Sequence, residues 1–251
     1  DSHDGYAGYD YDTALFSGGY DRMVGDHLLV GVSAGWAPTG IDYKDAGGSG
    51  STLGSYFLGV YASLFDKAWY VDGILSGDYN SYDLDRELSA QSATAKSETD
   101  GYTLSAKTEG GYRFDLGDFG LTPTASLEYT RFHLGGYTET GAGAANLAVD
   151  SYDTDFLESG FGGKLDHAWK TEQGLLMPEI SAMWMHEWLS QGRNVTYSLT
   201  GLPGVVFSQP LAETGDDSLS LGVGLRYITD SGLALTARYQ GDFEEYGRGH
   251  S

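Results

Sequence analysis

The chain has 251 residues and carries 36 acidic side chains against 14 lysines and arginines, a formal charge of −22. That balance excludes a nucleic-acid partner, whose phosphates need cationic contacts, and the absence of cysteine excludes disulfides, thiolate metal sites and a cysteine nucleophile. Apolar residues make up 40%, yet no run approaches the roughly 20 that a membrane helix needs, while abundant glycine and tyrosine suit strands, turns and interfacial belts.

Two-residue alternation predicts ten strands, near 11–24, 27–38, 53–65, 68–81, 100–115, 119–133, 156–170, 174–189, 217–229 and 232–244. Each exceeds the roughly 9–11 residues of a tilted membrane strand. The predicted connections alternate between two kinds. Short turns carry glycine and aspartate: Val24-Gly25-Asp26, Asp66-Lys67, Leu116-Gly117-Asp118, Glu172-Gln173-Gly174 and Asp230-Ser231-Gly232. Long polar connections cover 39–52, 82–99, 134–155 and 190–216. In a meander this places every tight turn at one end and every long loop at the other, an asymmetry of membrane barrels rather than of soluble sandwiches. The opening DSHDGYAGYDYD has no signal-peptide pattern and reads as the inside of a mature protein. No linker divides 1–251, which reads as a single domain.

Successive strand side chains point to opposite faces. In the segment SLSLGVGLRY, Leu219, Leu221, Val223, Leu225 and Tyr227 share one face, against Ser220, Gly222, Gly224 and Arg226. The fifth candidate sets Tyr102, Leu104 and Ala106 against Thr103, Ser105, Lys107, Glu109 and Arg113. The sixth sets Leu121, Leu127 and Tyr129 against Thr122, Thr124 and Glu128. The eighth sets Ile180 and Trp184 against Glu179 and Ser181. The tenth sets Leu235 and Tyr239 against Arg238 and Asp242. Charges of both signs therefore collect on one face. In a dry core each unpaired ion would cost several kcal/mol, and a cation at mid-depth on a lipid face ~2–4 kcal/mol. A hydrated lumen accommodates them. The expected lumen-lining set is Lys107, Glu109, Arg113, Glu128, Lys164, Glu179, Arg226 and Arg238; the expected lipid-facing set is Leu127, Ile180, Trp184, Leu221, Val223 and Leu235. Tyr20, Phe65, Trp69, Phe114, Trp169 and Tyr227 near the short turns, and Trp36, Tyr79, Tyr129, Trp184, Tyr239 and Phe243 near the long loops, are expected to form two aromatic girdles.

Several stretches, taken in order, resemble the β-domain, or translocator, of autotransporters (type V secretion): GYDYDTALFSGGYDRMVGDHLLVGVSAGW, YVDGILSGDYNSYDLDR, LTPTASLEYTRFHLGGYTETGAG, GLLMPEISAMWMHEW and GLALTARYQGDFEEYGRGHS. The resemblance implies an all-β, antiparallel up-and-down transmembrane β-barrel of 12 strands in the outer membrane of a Gram-negative bacterium. Such a barrel anchors and exports an N-terminal passenger to the cell surface. It implies outer-membrane lipids with lipopolysaccharide, the outer-membrane insertion machinery, and the chain's own passenger and linker helix as partners. By position, Glu109, Glu128, Lys164, Glu179, Arg226 and Arg238 match the inward residues facing that helix. The segments matching the family's first and last strands are missing from 1–251, so the chain is either a fragment or a barrel closed with fewer strands.

Chemistry beyond transport has few candidates. His3, His27, His133, His167, His186 and His250 are scattered, with no metal-ligand spacing, and no Gly-x-Ser-x-Gly elbow is present. No catalytic residue, metal or cofactor is expected. Asp10 with Asp12, and Asp78 with Asp83 and Asp85, offer oxygens that could ligate calcium, but they miss the EF-hand spacing and read as solvated acids; for the net charge as a whole, the alternatives to solvated loops are divalent-cation binding near lipopolysaccharide and repulsion between neighbouring cell surfaces. The competing function is an outer-membrane barrel enzyme of protease or lipase type, for which Asp153, Asp155 and His133 are the candidates. A passive pore or structural anchor is the third reading.

Overall fold

The computed structural model describes residues 9–43, 49–189, 194–211, 215–231, 233–244 and 248–250. In chain order the strands are β1 (Tyr9–Thr13), β2 (Phe16–Val24), β3 (Leu28–Tyr43), β4 (Gly50–Phe65), β5 (Trp69–Leu88), β6 (Ala93–Tyr112), β7 (Phe114–Leu116), β8 (Phe119–Leu134), β9 (Tyr137–Thr138), β10 (Leu147–Val149), β11 (Tyr152–His167), β12 (Trp169–Thr171), β13 (Gly174–Glu187), β14 (Asn194–Leu199), β15 (Val206–Pro210), β16 (Asp217–Thr229), β17 (Ala234–Glu244) and β18 (Arg248–His250). Long strands pair with their neighbours in sequence in one curled antiparallel sheet, ordered β1-β3-β4-β5-β6-β8-β11-β13-β16-β17-β18, with β2, β7 and β12 on its flanks. Among the described residues no ladder joins the first strand to the last.

The ten predicted strands are all present, and 217–229 coincides with β16. Tight turns follow β2, β4, β7, β12 and β16, where short turns are expected. Gly25 (φ +69°) and Gly117 (φ +74°) occupy two of them in left-handed backbone, which a Cβ would strain.

Three predicted strands are interrupted, and each interruption lies opposite a proline. The β3 ladder runs Thr13↔Thr39 and resumes at Phe16↔Trp36, so the register continues across the gap and no bulge intervenes. Pro38 faces that gap. The Ala14 N–H donates to the Pro38 carbonyl at 3.2 Å, but proline has no N–H to return the bond. Pro123 likewise stands opposite Tyr112, the last residue of β6, and Pro178 opposite His167, the last residue of β11, where the ladders to β8 and β13 lapse before β7 and β12 resume them in register. On their other sides Pro38↔Gly54, Gly163↔Pro123 and Pro178↔Leu225 continue their ladders unbroken.

The long connections depart most from expectation. Most of 82–99 is strand: β5 and β6 form a hairpin extending to Leu88↔Ala93, closed by a short 3-10 turn over Ser89–Gln91. The connection 39–52 shrinks because β3 and β4 pair as far as Asp42↔Gly50; the rest, 44–48, lies outside the described residues. Segments 134–155 and 190–216 contribute a second sheet, ordered β15-β14-β10-β9. Arg86 ties it to the hairpin. Its guanidinium bonds both carboxylate oxygens of buried Glu139, at 2.9 and 2.5 Å, and the Ala145 carbonyl at 3.0 Å. Glu139 strengthens the hold of Arg86 on its proton against the effect of burial, while burial and the same carboxylate push the Tyr137 phenol up.

Candidate functional site: a polar concave face under an apolar convex one

Alternation in the ladders sorts the sheet into two faces. The convex face is apolar and exposed. Leu127, Ile180, Trp184, Leu221, Val223 and Leu235 all lie on it with their side chains open, as do Leu58, Leu75, Leu104 and Phe161. Buried hydrophobic residues are confined to Ala95, Ala142 and Val149 among the described residues. A soluble sandwich would bury this surface against a second sheet.

Toward the long connections, the convex face carries a continuous cross-strand row: Phe16, Trp36, Tyr56, Tyr79, Tyr102 and His133. Its rings stack at 5.8 Å (Phe16–Trp36), 6.3 Å (Trp36–Tyr56) and 4.8 Å (Tyr102–His133). Trp184, Tyr239 and Phe243 are exposed on later strands, Trp188 just past the end of β13, and Tyr20, Trp69, Phe114 and Trp169 near the short turns. Phe65 departs from its expected girdle position: it shares the face of Tyr61 and Ser63, and pairs with Tyr70 on the concave side.

The concave face holds the charges. Lys107 Nζ donates to Glu128 at 2.9 Å, and Arg238 to Glu179 at 2.9 Å. Glu109 accepts from the Tyr70 hydroxyl at 2.6 Å and from Lys164 Nζ at 3.2 Å. Lys164 reaches across β8 to do so, which the curl of the sheet permits. Arg113 crosses β8 as well, to bond Asp166 at 2.5 and 2.9 Å, and it also meets Asp115 at 3.0 Å. Glycines clear the way: a Cβ on Gly120 would strike the Arg113 guanidinium, and one on Gly111 the Tyr70 ring. Arg226 lines a cavity with Tyr70, Lys164, Glu179 and Arg238; an adjoining cavity of about 410 Å³ adds Lys107, Ser181, Ser220, Gln240 and Asp242. Lys107, Glu109, Arg113, Glu128, Lys164, Glu179, Arg226 and Arg238 thus share one face of the sheet, and Lys107 with Glu128, Lys164 with Glu109 and Arg238 with Glu179 pair with one another.

The residues considered for an enzyme site behave differently. His133 Nδ1 lies 3.1 Å from Asp153, and Arg131 bonds Asp153 at 3.1 Å and Asp155 at 3.4 Å, on the convex face. They form an ion cluster whose cross-strand neighbour is Tyr102, with no serine or threonine across from His133. Asp83 and Asp85 face away from Asp78; Asp83 accepts from Thr52 at 3.3 Å and Asp85 from Lys96 at 2.9 Å. Among the described residues no group of three His, Asp or Glu is placed to hold a metal ion. His3 lies outside the described residues, and His250 is described by its backbone alone. Sequence reasoning missed Tyr70 and Asp166 as partners of the charged face. Both fall on its parity, which was the available signal.

An up-and-down meander with an apolar convex face, aromatic rims and a charged concave face defines a membrane β-barrel of the outer-membrane type. The family model for the autotransporter β-domain matches residues 1–240, and the chain belongs to that family. It is 26% identical over 218 residues to Esterase EstA of Pseudomonas aeruginosa, covering 83% of this chain and 32% of that protein. It is 25% identical over 234 residues to Outer membrane protein A of Rickettsia conorii, covering 87% of this chain and 11% of that protein. The chain therefore spans a third or less of the length of these relatives. Among solved structures it is similar to the translocator domain of autotransporter NalP from Neisseria meningitidis, with a TM-score of 0.75 at 16% identity, over 96% of this chain and 79% of that one. The chain is an autotransporter translocator domain of a Gram-negative outer membrane, and the translocator's own work is not catalytic.

Proposed function

We propose that 1–251 is the single outer-membrane barrel domain of a longer protein, that it anchors that protein in the bilayer, and that its polar bore carries an N-terminal passenger outward. The observation that carries this reading is the segregation of the two faces. Ion pairs fill the concave side, while bulky apolar side chains stand open on the convex side. Leu127, Ile180, Trp184, Leu221, Val223 and Leu235 meet lipid, with the aromatic rows at the two water interfaces beside lipopolysaccharide and inner-leaflet headgroups. Lys107, Glu109, Arg113, Glu128, Lys164, Glu179, Arg226 and Arg238 line a wet lumen and face the linker helix of the passenger. The insertion machinery of the outer membrane assembles the barrel. The activity of the whole protein resides in its passenger.

A photo-crosslinking amino acid at Ser181 or Gln240, both on the cavity wall, tests the route in the full-length protein during export. Adducts to the passenger are expected from both positions and not from Val223. Adducts from Val223, with none from Ser181 and Gln240, would place the passenger outside the bore.

A further inference from the structure

The second sheet ends in an unguarded edge. In its order β15-β14-β10-β9, the β9 side leads back to the barrel wall. There the Lys96 N–H donates to the Thr140 carbonyl at 2.8 Å, and the Thr140 N–H to the Lys96 carbonyl at 2.9 Å, so the sheet is fastened to β6. On the opposite side stands β15, whose one strand neighbour among the described residues is β14. A strand edge presents a row of N–H and C=O groups that a further strand can take up, and proteins ordinarily protect such edges with charged side chains. The β5–β6 hairpin, on the same side of the barrel, carries Asp83, Asp85, Lys96 and Glu98 on its strands. β15 has no such protection. From Asn194 to Leu211, NVTYSLTGLPGVVFSQPL, there is no charged side chain, in a chain that is 20% charged. Leu202, Val205 and Val206 are 53%, 47% and 65% exposed. Phe207 stacks on Tyr197 of β14 at 5.5 Å, which holds the hairpin flat, and is itself exposed. Pro210 closes one end of the strand, since proline has no N–H to offer a ladder.

We propose that β15 is a self-association edge: it pairs antiparallel with β15 of a second copy of this chain, and the two four-stranded sheets become one. Charge selects the occupant. Residues 1–251 carry a formal charge of −22, so most approaches of two copies set carboxylates against carboxylates. The 194–211 hairpin lets them meet with none. Antiparallel pairing of a strand with its own copy is two-fold symmetric, so the contact closes at two copies instead of growing into a fibre. Main-chain bonds supply the pairing, and the side chains of Val206, Phe207 and Ser208 meet their counterparts across the new ladder. β15 has five residues, an edge that buries well under the roughly 800 Å² per partner of a stable soluble complex. The contact is therefore a weak one that works when copies are held at high effective concentration in a membrane. It lies outside the bore and adds an association between whole proteins to the export function.

The test places a single cysteine at Ser208 of the full-length protein in intact cells, links it with a flexible bis-maleimide, and maps the linked peptides by mass spectrometry. A link between two copies of the same peptide is expected, forming at least about 10-fold faster than from a single cysteine at Asp83 on the charged hairpin. Val206→Lys with Gln209→Lys sets like charges across the pairing and is expected to slow the link at least about 10-fold. Mixing those copies with copies that carry Val206→Glu and Gln209→Glu is expected to restore it, which a merely unfolded hairpin would not do. A rate no faster than from Asp83→Cys, in protein shown to be folded by heat-modifiable mobility, would overturn the proposal. So would an undiminished rate in the lysine variant, failure of the mixed copies to link, or capture of a passenger peptide in place of the second copy. Passenger crosslinking from Ser181 is expected to be unchanged in the lysine variant, so failure of the transport reading and failure of this one are told apart.

Discussion

Val223→Arg is expected to cost about 2–4 kcal/mol of folding stability in a bilayer, the penalty for a cation near the midplane of a barrel's lipid face. Val223 stands mid-strand on β16, 55% exposed, between Ile180 and Tyr239 in its cross-strand row and between Leu221 and Leu225 along its strand. None of these neighbours carries a carboxylate to pair with a guanidinium. Ser220→Arg is the control. Ser220 lies on the concave wall directly across from Asp242, so an arginine there meets water and a carboxylate. Its expected cost is under about 1 kcal/mol. Denaturant unfolding in lipid vesicles, followed by heat-modifiable mobility, measures both.

Arg113→Ala is expected to destabilise the domain by about 2–4 kcal/mol, toward the lower side of the cost of breaking a buried pair. The Asp166 side chain is only 9% exposed and takes two parallel N–H bonds from this guanidinium. Losing them leaves a carboxylate held out of water with no compensating charge. Arg113→Lys is expected to recover part of the loss, since a point charge replaces the fork but not both bonds. Asp115, the other partner of Arg113, is 80% exposed, and Asp115→Ala is expected to change stability by less than about 0.5 kcal/mol. Gly120→Val should reproduce much of the Arg113→Ala loss, because the added side chain fills the space that the guanidinium crosses. Equal stabilities across this series would show that the concave network contributes nothing to holding the sheet in its curl.

The membrane-spanning strands were legible because one face of each is apolar and the other is not, and that contrast survives in sequence as strict alternation. It fixed β16 residue for residue and placed Lys107, Glu109 and Glu128 on the face where they pair. It failed where both faces of a strand are polar. Above Tyr79 and Tyr102, the β5–β6 hairpin carries Asp83, Asp85, Lys96 and Glu98, with no alternation to separate it from a loop, although its ladder is continuous. The sheet of β9, β10, β14 and β15 is hidden for the same reason, and because its pairing joins two connections distant in sequence. The proline breaks need register: Pro38, Pro123 and Pro178 interrupt the neighbouring strand rather than their own. The contact of His186 with Asp217 needs register too, since nothing within β13 or β16 alone brings the two side chains together. Candidates chosen by proximity to the rim, Asp153, Asp155 and His133, share a face but lack a nucleophile.

The central claim is that lipid surrounds the convex face and water fills the concave one. Single cysteines at Leu221, Val223 and Leu235, and at Ser181, Ser220 and Gln240, placed in the full-length protein in its native membrane, test it most directly when exposed in parallel to a lipid-dissolved carbene probe and a membrane-impermeant maleimide. The first three are expected to take the carbene and resist the maleimide, and the second three the reverse. Maleimide modification of Leu221→Cys and Val223→Cys, with carbene insertion at Ser220→Cys, would contradict the account.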